Sequence, residues 1–379
     1  RSRRDSVWSR KIYLQKYKYF DVILFIIVFF LFSIGLILIS SATGVNEGGS
    51  YKRLIIQSAS YILGIFFIIF FMFFDYNDFK NYEKQLYILG IGLLLLVYVP
   101  GLGKAQFGAR SWIDLKIIDF QPIELVKLTF ILGYAKYLEE RKDMLHDLKE
   151  IFFAVLYPFP IIILVMLQPD LGGAIVFSFI IFGMLYISGL NLKVVLYSIL
   201  GALVCSPIIY NYILRPHQRT RIDAFLNPGD PSFEGNFQVI QSMIAIGSGK
   251  IFGKGLFNGT QNQYGFLPVT DSDFIFAVLG EEFGLIGMSV VLILYFVFFK
   301  RLYALATSAK DFYGTLIIVG ITSMFLYQFV QNVGMTMGVM PVTGVTLPFV
   351  SYGGSSMLTS MMALALVFNV SVKRRKINF

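Results

Sequence analysis

The stretch VILFIIVFFLFSIGLILIS at residues 22–40 holds no charge and no proline over 19 positions. As a helix it would be about 28 Å long, close to the ~30 Å hydrocarbon core of a bilayer. It is too long, and too well followed by similar runs, to read as a cleaved signal peptide. Six more uncharged apolar runs occur at 54–74, 86–102, 151–167, 171–190, 194–214 and 312–330. Three others carry polar or special residues. Residues 123–138 contain Glu124, Lys127 and Lys136, residues 274–299 contain Glu281 and Glu282, and a last run leaves a Gly/Ser-rich turn and ends near 372. The pattern predicts an all-α polytopic membrane protein of about ten transmembrane helices.

Composition agrees. Of 379 residues, 56% are hydrophobic and 15% charged, with a mean hydropathy of +0.70. A soluble domain carries about 25% charged residues to cover its surface. One membrane domain is expected over 1–379, with basic tails at 1–20 and 373–379. Cys205 is the only cysteine, which excludes a disulfide framework, and His146 and His217 are too few for a conventional His/Cys zinc set. With the N-terminus inside, 20 of the 32 Lys and Arg residues fall on inner segments, 10 on outer ones and two within a span. That bias predicts both termini in the cytoplasm. The net charge of +9 then reads as an anchor to the lipid surface, with no nucleic-acid partner.

Two connections are long and both fall outside: 103–121, with Trp112, and 215–272, between the seventh and eighth spans and rich in Gly, Asn, Gln and Pro. Chemistry on a membrane protein gathers on such loops or on polar residues within spans. Glu124 and Lys127, three apart on one helix face, read as a structural ion pair or as the wall of an internal cavity. In QPDLG at 168–172, Asp170 reads as the N-cap of the following helix. Arg215, Arg219, Arg221, the segment SMIAIGSGK ending at Lys250, and Lys254 offer guanidinium groups and small-residue amides to a phosphate, or anchors to lipid headgroups. Asp271-Ser272-Asp273 opens the eighth span. Asp273 reads as a partly desolvated base or as a helix cap, and Glu281 would lie about 12 Å deeper along the same helix. The Asp-x-Asp pair leaves room for a divalent cation at Asp271 and Asp273. PVTGVTLPFVSYGGSS at 341–356 reads as a tight packing corner or as one wall of a groove for an amphiphile.

Taken in order, GARSWI (108–113), FQPIELVK (120–127), QPDLG (168–172), RIDAFLNP (221–228), QSMIAIGSG (241–249), DFIFAVLGEEFGLIG (273–287) and the 341–356 segment resemble the SEDS family (shape, elongation, division and sporulation). GKGLFNGTQNQYGFLP at 253–268 is similar to the RodA-type elongation branch more than to the FtsW-like division branch. The resemblance implies a glycosyltransferase polymerising lipid II on the outer leaflet of the bacterial cytoplasmic membrane. It also implies a class B penicillin-binding transpeptidase as partner, among other elongation-complex membrane proteins. Asp273 falls on the family's essential loop aspartate, Trp112 on its outer-loop tryptophan, and Glu124 with Lys127 on its polar intramembrane pair. Departures occur: a common second arginine beside Arg110 is Ser111, and the glutamate and histidine usual before the aspartate are Val269 and Asp271. On this reading Asp273 is the catalytic base. Trp112, Arg110, Arg215, Arg219, Arg221, Lys250 and Lys254 meet the sugar–pyrophosphate end, with Mg2+ or Mn2+ as a candidate helper. Glu124, Lys127, Asp170 and Glu281 form the intramembrane polar cavity. A flippase or transporter of the same lipid-linked precursor is the competing reading, because intramembrane charges and broken helices also serve transport.

Overall fold

The structure, a computed structural model, describes residues 20–44, 50–106, 109–114, 119–144, 147–214, 216–228, 230 and 234–373. The basic tails at 1–19 and 374–379, and Arg215, lie outside the described residues. The quoted stretch forms α1 (Val22–Ala42), capped by Asp21, whose carboxylate accepts from the Leu24 amide at 2.9 Å. Then come α2 (Lys52–Phe71), α3 (Glu83–Leu96), α4 (Pro122–Glu140), α5 (Leu148–Leu156) and α6 (Phe159–Leu167), the last two separated at Pro158. The chain continues through α7 (Leu171–Ile187), α8 (Leu192–Ile208), α9 (Pro216–Leu226), α10 (Glu234–Ser248), the single turn α11 (Thr260–Gln263), α12 (Ile275–Thr307), α13 (Phe312–Thr336) and α14 (Gly354–Val372). Each of the ten expected runs falls on helix. Among the described residues, six helical segments are long and apolar enough to cross a membrane: α1, α2, the α5–α6 unit, α12, α13 and α14. The apolar α7 is shorter.

The bundle packs α2 on α14, α3 on α4 and α7 on α13. Phe177, Tyr295, Phe298, Phe325, Phe349 and Phe368 are buried in it, while Phe29, Phe30, Phe66, Phe296 and Val204 stand exposed on its outside. Large apolar side chains on the perimeter suit hydrocarbon as the surrounding solvent. α1 and α12 are tied at both ends. Arg301 donates to Asp21 at 2.5 Å at one end, and the Ser41 hydroxyl donates to Glu282 at the other.

Two segments expected as loops are structured. In the first, β1 (Gly103–Gln106), β2 (Ala109–Asp114) and β3 (Asp119–Phe120) pair as a three-stranded antiparallel sheet, so the chain is not purely α. β2 alternates, with Ser111 and Ile113 buried and Asp114 exposed, and six residues are too few for a stable helix. The 215–272 connection contains α9 and α10, in keeping with the rarity of long structureless loops in compact proteins.

The third departure concerns α12, which is not one straight rod. Gly284 adopts φ +64° and ψ −160°, a backbone region open essentially to glycine alone. The break frees backbone groups on both sides, and the segment after α10 pairs them. The Lys254 and Gly255 amides donate to the Glu281 and Glu282 carbonyls at 2.9 and 3.0 Å. The Leu285 and Ile286 amides donate to the Lys250 and Ile251 carbonyls at 2.9 and 3.2 Å. Glu281 and Glu282 precede the break, on the same half of α12 as Ile275, so the break does not alter their spacing from Asp273, and the Ser41–Glu282 bond sets the end of this half beside the end of α1. Gly284→Ala is expected to destabilise the protein by about 1–3 kcal/mol, the cost of forcing a Cβ into this region. Thermal unfolding in detergent reads the loss, and an unchanged unfolding temperature would contradict the account.

Candidate active site

Asp273 lies two residues before α12 and caps nothing: the N-cap is Phe274, with no side-chain bond. The helix-cap reading is thereby set aside. The Asp273 side chain instead accepts from the Ser272 hydroxyl at 3.1 Å, and its carbonyl accepts from the Asn332 side-chain amide of α13 at 3.0 Å. Burial pushes the carboxyl up to about 6, against the Ser272 hydroxyl bond and the charge of Arg221, and Asp271 raises it further. At neutral pH such a group is mostly ionised yet holds a proton more tightly than an ordinary carboxylate, as a general base requires.

The turn carrying Asp273 is held from two sides. Arg53, at the start of α2, donates to Asp271 at 2.5 Å and lies 5.4 Å from the centre of the Tyr352 ring. The 341–353 segment, composed against helix by its Gly and Pro, wraps the other side. Its Tyr352 amide donates to the Asp271 carbonyl at 2.8 Å, and its Ser351 hydroxyl donates to the Ser272 carbonyl at 2.5 Å. Gln57 fastens that segment to α2, donating to the Ser351 carbonyl at 2.9 Å and accepting from the Gly353 amide at 3.1 Å. The 341–356 segment thus packs as a corner against the Asp273 turn and shapes it. Sequence reasoning missed Arg53, Gln57 and Asn332. In the sequence Arg53 counts only as one of the Lys and Arg residues that set the expected orientation.

Glu124 and Lys127 form a buried ion pair of 2.8 Å on α4. Asp170 caps α7 as expected, accepting from the Gly173 amide at 2.7 Å. Burial raises its carboxyl above the usual range, opposed by that amide and by Lys127. Lys127, Glu124 and Arg221 all act electrostatically on Asp170, and Arg221 acts on Asp273 as well.

The other basic candidates are largely engaged elsewhere. Arg219 donates to the Leu214 and Asn211 carbonyls at 3.0 and 2.6 Å, where α8 ends in an irregular turn. Lys254 donates to Glu281 at 2.6 Å and to Thr260 at 2.7 Å, neutralising a buried carboxylate. Lys250 keeps an exposed side chain, but its segment does not present free amides to a phosphate. Residues 242–248 end α10, and the Gly249, Lys250 and Gly253 amides donate to Ile246, Gly247 and Gly249 carbonyls at 3.2, 3.4 and 2.7 Å. Glu281 meets the loop through Lys254, Thr260 and Gln261 and does not join the Glu124–Lys127 cavity. Arg110 is placed only by its backbone, on β2. Trp112, half-buried on β2, pairs across the sheet with Lys104. A cation bridged by Asp271 and Asp273 does not fit these residues. The Asp271 carboxylate is taken by Arg53, and no three His, Cys, Asp or Glu side chains converge among the described residues.

Fold and site define a multi-pass helical membrane protein with a desolvated aspartate, Asp273, at the turn before α12. The cell cycle protein family model covering FtsW, RodA and SpoVE matches residues 22–376. The chain is 36% identical to Stage V sporulation protein E of Bacillus subtilis (strain 168), over 93% of this chain and 96% of that one. It is 34% identical to the Peptidoglycan glycosyltransferase MrdB of Escherichia coli (strain K12), over 90% of each. A solved chain of a peptidoglycan synthase complex superposes with TM-score 0.80 at 34% identity, covering 94% of this chain and 99% of that one. The crystal structure of Thermus thermophilus Rod shape determining protein RodA does so with TM-score 0.69 at 29% identity, covering 94% and 98%. The chain belongs to the FtsW/RodA/SpoVE family of cell cycle proteins.

Two measurements test the electrostatics. Removing either Glu124 or Lys127 alone leaves a buried charge and is expected to cost about 3–5 kcal/mol, whereas replacing both with apolar residues costs much less. Denaturant titration of the two singles and the double separates these outcomes. For Asp273, the folded carboxyl holds a proton between pH 3.8 and about 6 that the unfolded chain releases. Wild-type stability therefore falls as pH rises through that window. Asp273→Asn should unfold at a higher temperature than wild type at pH 8, with the gap closing toward pH 4.

Proposed function

We propose that this chain is a peptidoglycan glycosyltransferase that polymerises lipid II on the outer face of the bacterial cytoplasmic membrane, in cell elongation and maintenance of rod shape. The observation that carries the reading is Asp273, a carboxylate raised to about 6 and free of any capping role, in a chain whose relatives bear that enzyme name. Membership of the elongation branch is supported by the 253–268 segment and by the likeness to a RodA structure. Both termini are assigned to the cytoplasm on the distribution of Lys and Arg, which places the Asp273 end of the bundle outside. A class B penicillin-binding transpeptidase is the assigned partner, in line with the likeness to a chain of a peptidoglycan synthase complex.

In the reaction, a sugar 4-hydroxyl attacks the anomeric carbon of a sugar linked to a lipid pyrophosphate. Asp273 takes the hydroxyl proton as the new bond forms. The departing pyrophosphate gains charge, and Arg221, whose charge reaches Asp273, is the cation assigned to meet it, with the exposed Lys250 as a second. A single base and direct displacement invert the anomeric centre. Arg219 and Lys254 act in folding instead.

The test supplies purified protein, with its transpeptidase partner, with lipid II in detergent and reads glycan product on a gel. Wild type is expected to polymerise, with activity falling on the acid side around pH 6 as Asp273 protonates. Asp273→Asn should lose roughly 10²–10⁴ in rate while still binding lipid II. Full activity in Asp273→Asn would move the base elsewhere. No polymer from intact, partnered wild type would favour the transporter reading, since detergent removes the two compartments a transporter needs.

A further inference from the structure

The turn that carries Asp273 is not one its own residues favour. Val269 adopts φ +55°, in the left-handed region that a β-branched residue seldom enters. Phe349, in the segment wrapped around the turn, adopts φ +64°. The bonds that close the turn from within are long, the Ser272 and Phe274 amides donating to the Val269 carbonyl at 3.4 and 3.3 Å. Backbone of this kind persists where its neighbours over-determine it. The Asp273 carboxylate depends on that outside hold, because among the described residues its hydrogen bond comes from Ser272 of the same turn. Its direction is set by the turn. Val269 and Asp271 are also the two places just before Asp273 where the chain departs from the SEDS pattern.

Arg53 meets the turn at its joint with the 341–353 segment. Its Nη1 donates to Asp271 Oδ2 at 2.5 Å, and its guanidinium carbon lies over the Tyr352 ring, 5.4 Å from the centre. The Tyr352 amide in turn donates to the Asp271 carbonyl at 2.8 Å, so one side chain touches both partners of that bond. The Asp271 side chain is 6% exposed and that of Arg53 50%. The buried member of the pair is the carboxylate, and it needs the guanidinium more than the reverse. Gln57, one helical turn further along the same face of α2, holds residues 351 and 353.

We propose that Arg53 is a positioning residue for the reaction: by pinning and neutralising Asp271 it fixes the 269–274 turn and so aims the Asp273 carboxylate at the substrate hydroxyl. The role rests on the reading of Asp273 as the base. The experiment uses the full chain in detergent with its transpeptidase partner and lipid II, and measures kcat and KM. Hydrogen exchange of the turn and of residues 349–353 is followed on the same proteins without substrate. Arg53→Gln should lose about tenfold or more in kcat, since a small misplacement of a reacting group is costly, while KM for lipid II stays within about twofold. The Phe274 and Tyr352 amides should exchange faster. Arg53→Lys keeps the charge and should restore most of both. Arg53→Gln with Asp271→Asn, which leaves two amides able to bond and no buried charge, should restore them as well. Should Arg53→Gln not fold, Asp271→Ala carries the test. It removes the pin while the half-exposed Arg53 stays solvated, and the same fall in kcat and faster exchange are expected. A raised KM with kcat kept would mean that Arg53 meets the substrate directly, and would overturn the proposal. No polymer from wild type overturns the enzyme reading and this role with it. Normal wild-type polymerisation with kcat, KM and exchange unmoved in Arg53→Gln overturns the role alone.

Discussion

The break at Gly284 leaves amides and carbonyls of α12 without their helical partners, and pairing them is the constraint around which this chain is organised. Each unpaired group there would cost about as much as a lost buried hydrogen bond. Four bonds from the segment after α10 close the gap, so that segment is fixed by the helix it repairs and the helix by the segment. The bend sets the first half of α12, with Glu281 and Glu282 near its end, as a short separate piece that starts from the Asp273 turn. Asp273 thus sits at the end of a half-helix held by neighbours, where it is desolvated without being enclosed.

The basic residues divide by the same logic. Lys254, Arg219, Arg301 and Arg53 each answer a specific buried carboxylate or a set of open carbonyls. A chain with so little polar surface uses its cations first to neutralise what folding has buried. Arg221 differs, because it acts on two carboxylates from different parts of the chain, Asp170 and Asp273, without being bound tightly to either.

The apolar runs were legible because lipid imposes a length and a composition on any helix that crosses it, and the ten runs all fall on helix. The Asp170 cap and the Glu124–Lys127 pair were legible because their partners lie within one turn. What was not legible depends on contacts between distant segments. The bend in α12 reads in sequence as one more glycine in a helix, since nothing local reveals that residues 250–255 will fill the gap. SMIAIGSGK suggested a phosphate loop by its small residues, but an amphipathic helix claims the same residues. Arg53 reads as one of several interfacial cations until Asp271, 218 positions later, is placed against it. The small sheet was hidden by shortness, six residues being too few for its alternation to stand out.

The partners of the Asp273 turn also set an order of events during synthesis. Arg53 and Gln57 are made early, whereas Ser351, Tyr352 and Gly353 belong to the approach to the last helix. A nascent chain that has inserted α12 but not yet α14 has the aspartate without the segment that wraps it, and Gln57 has nothing to hold. The turn takes shape only when the final helix docks against α2, the element that carries Arg53 and Gln57. Assembly of the site is therefore a late step coupled to completion of the bundle, and an incomplete translation product would carry the residues of the site without its geometry.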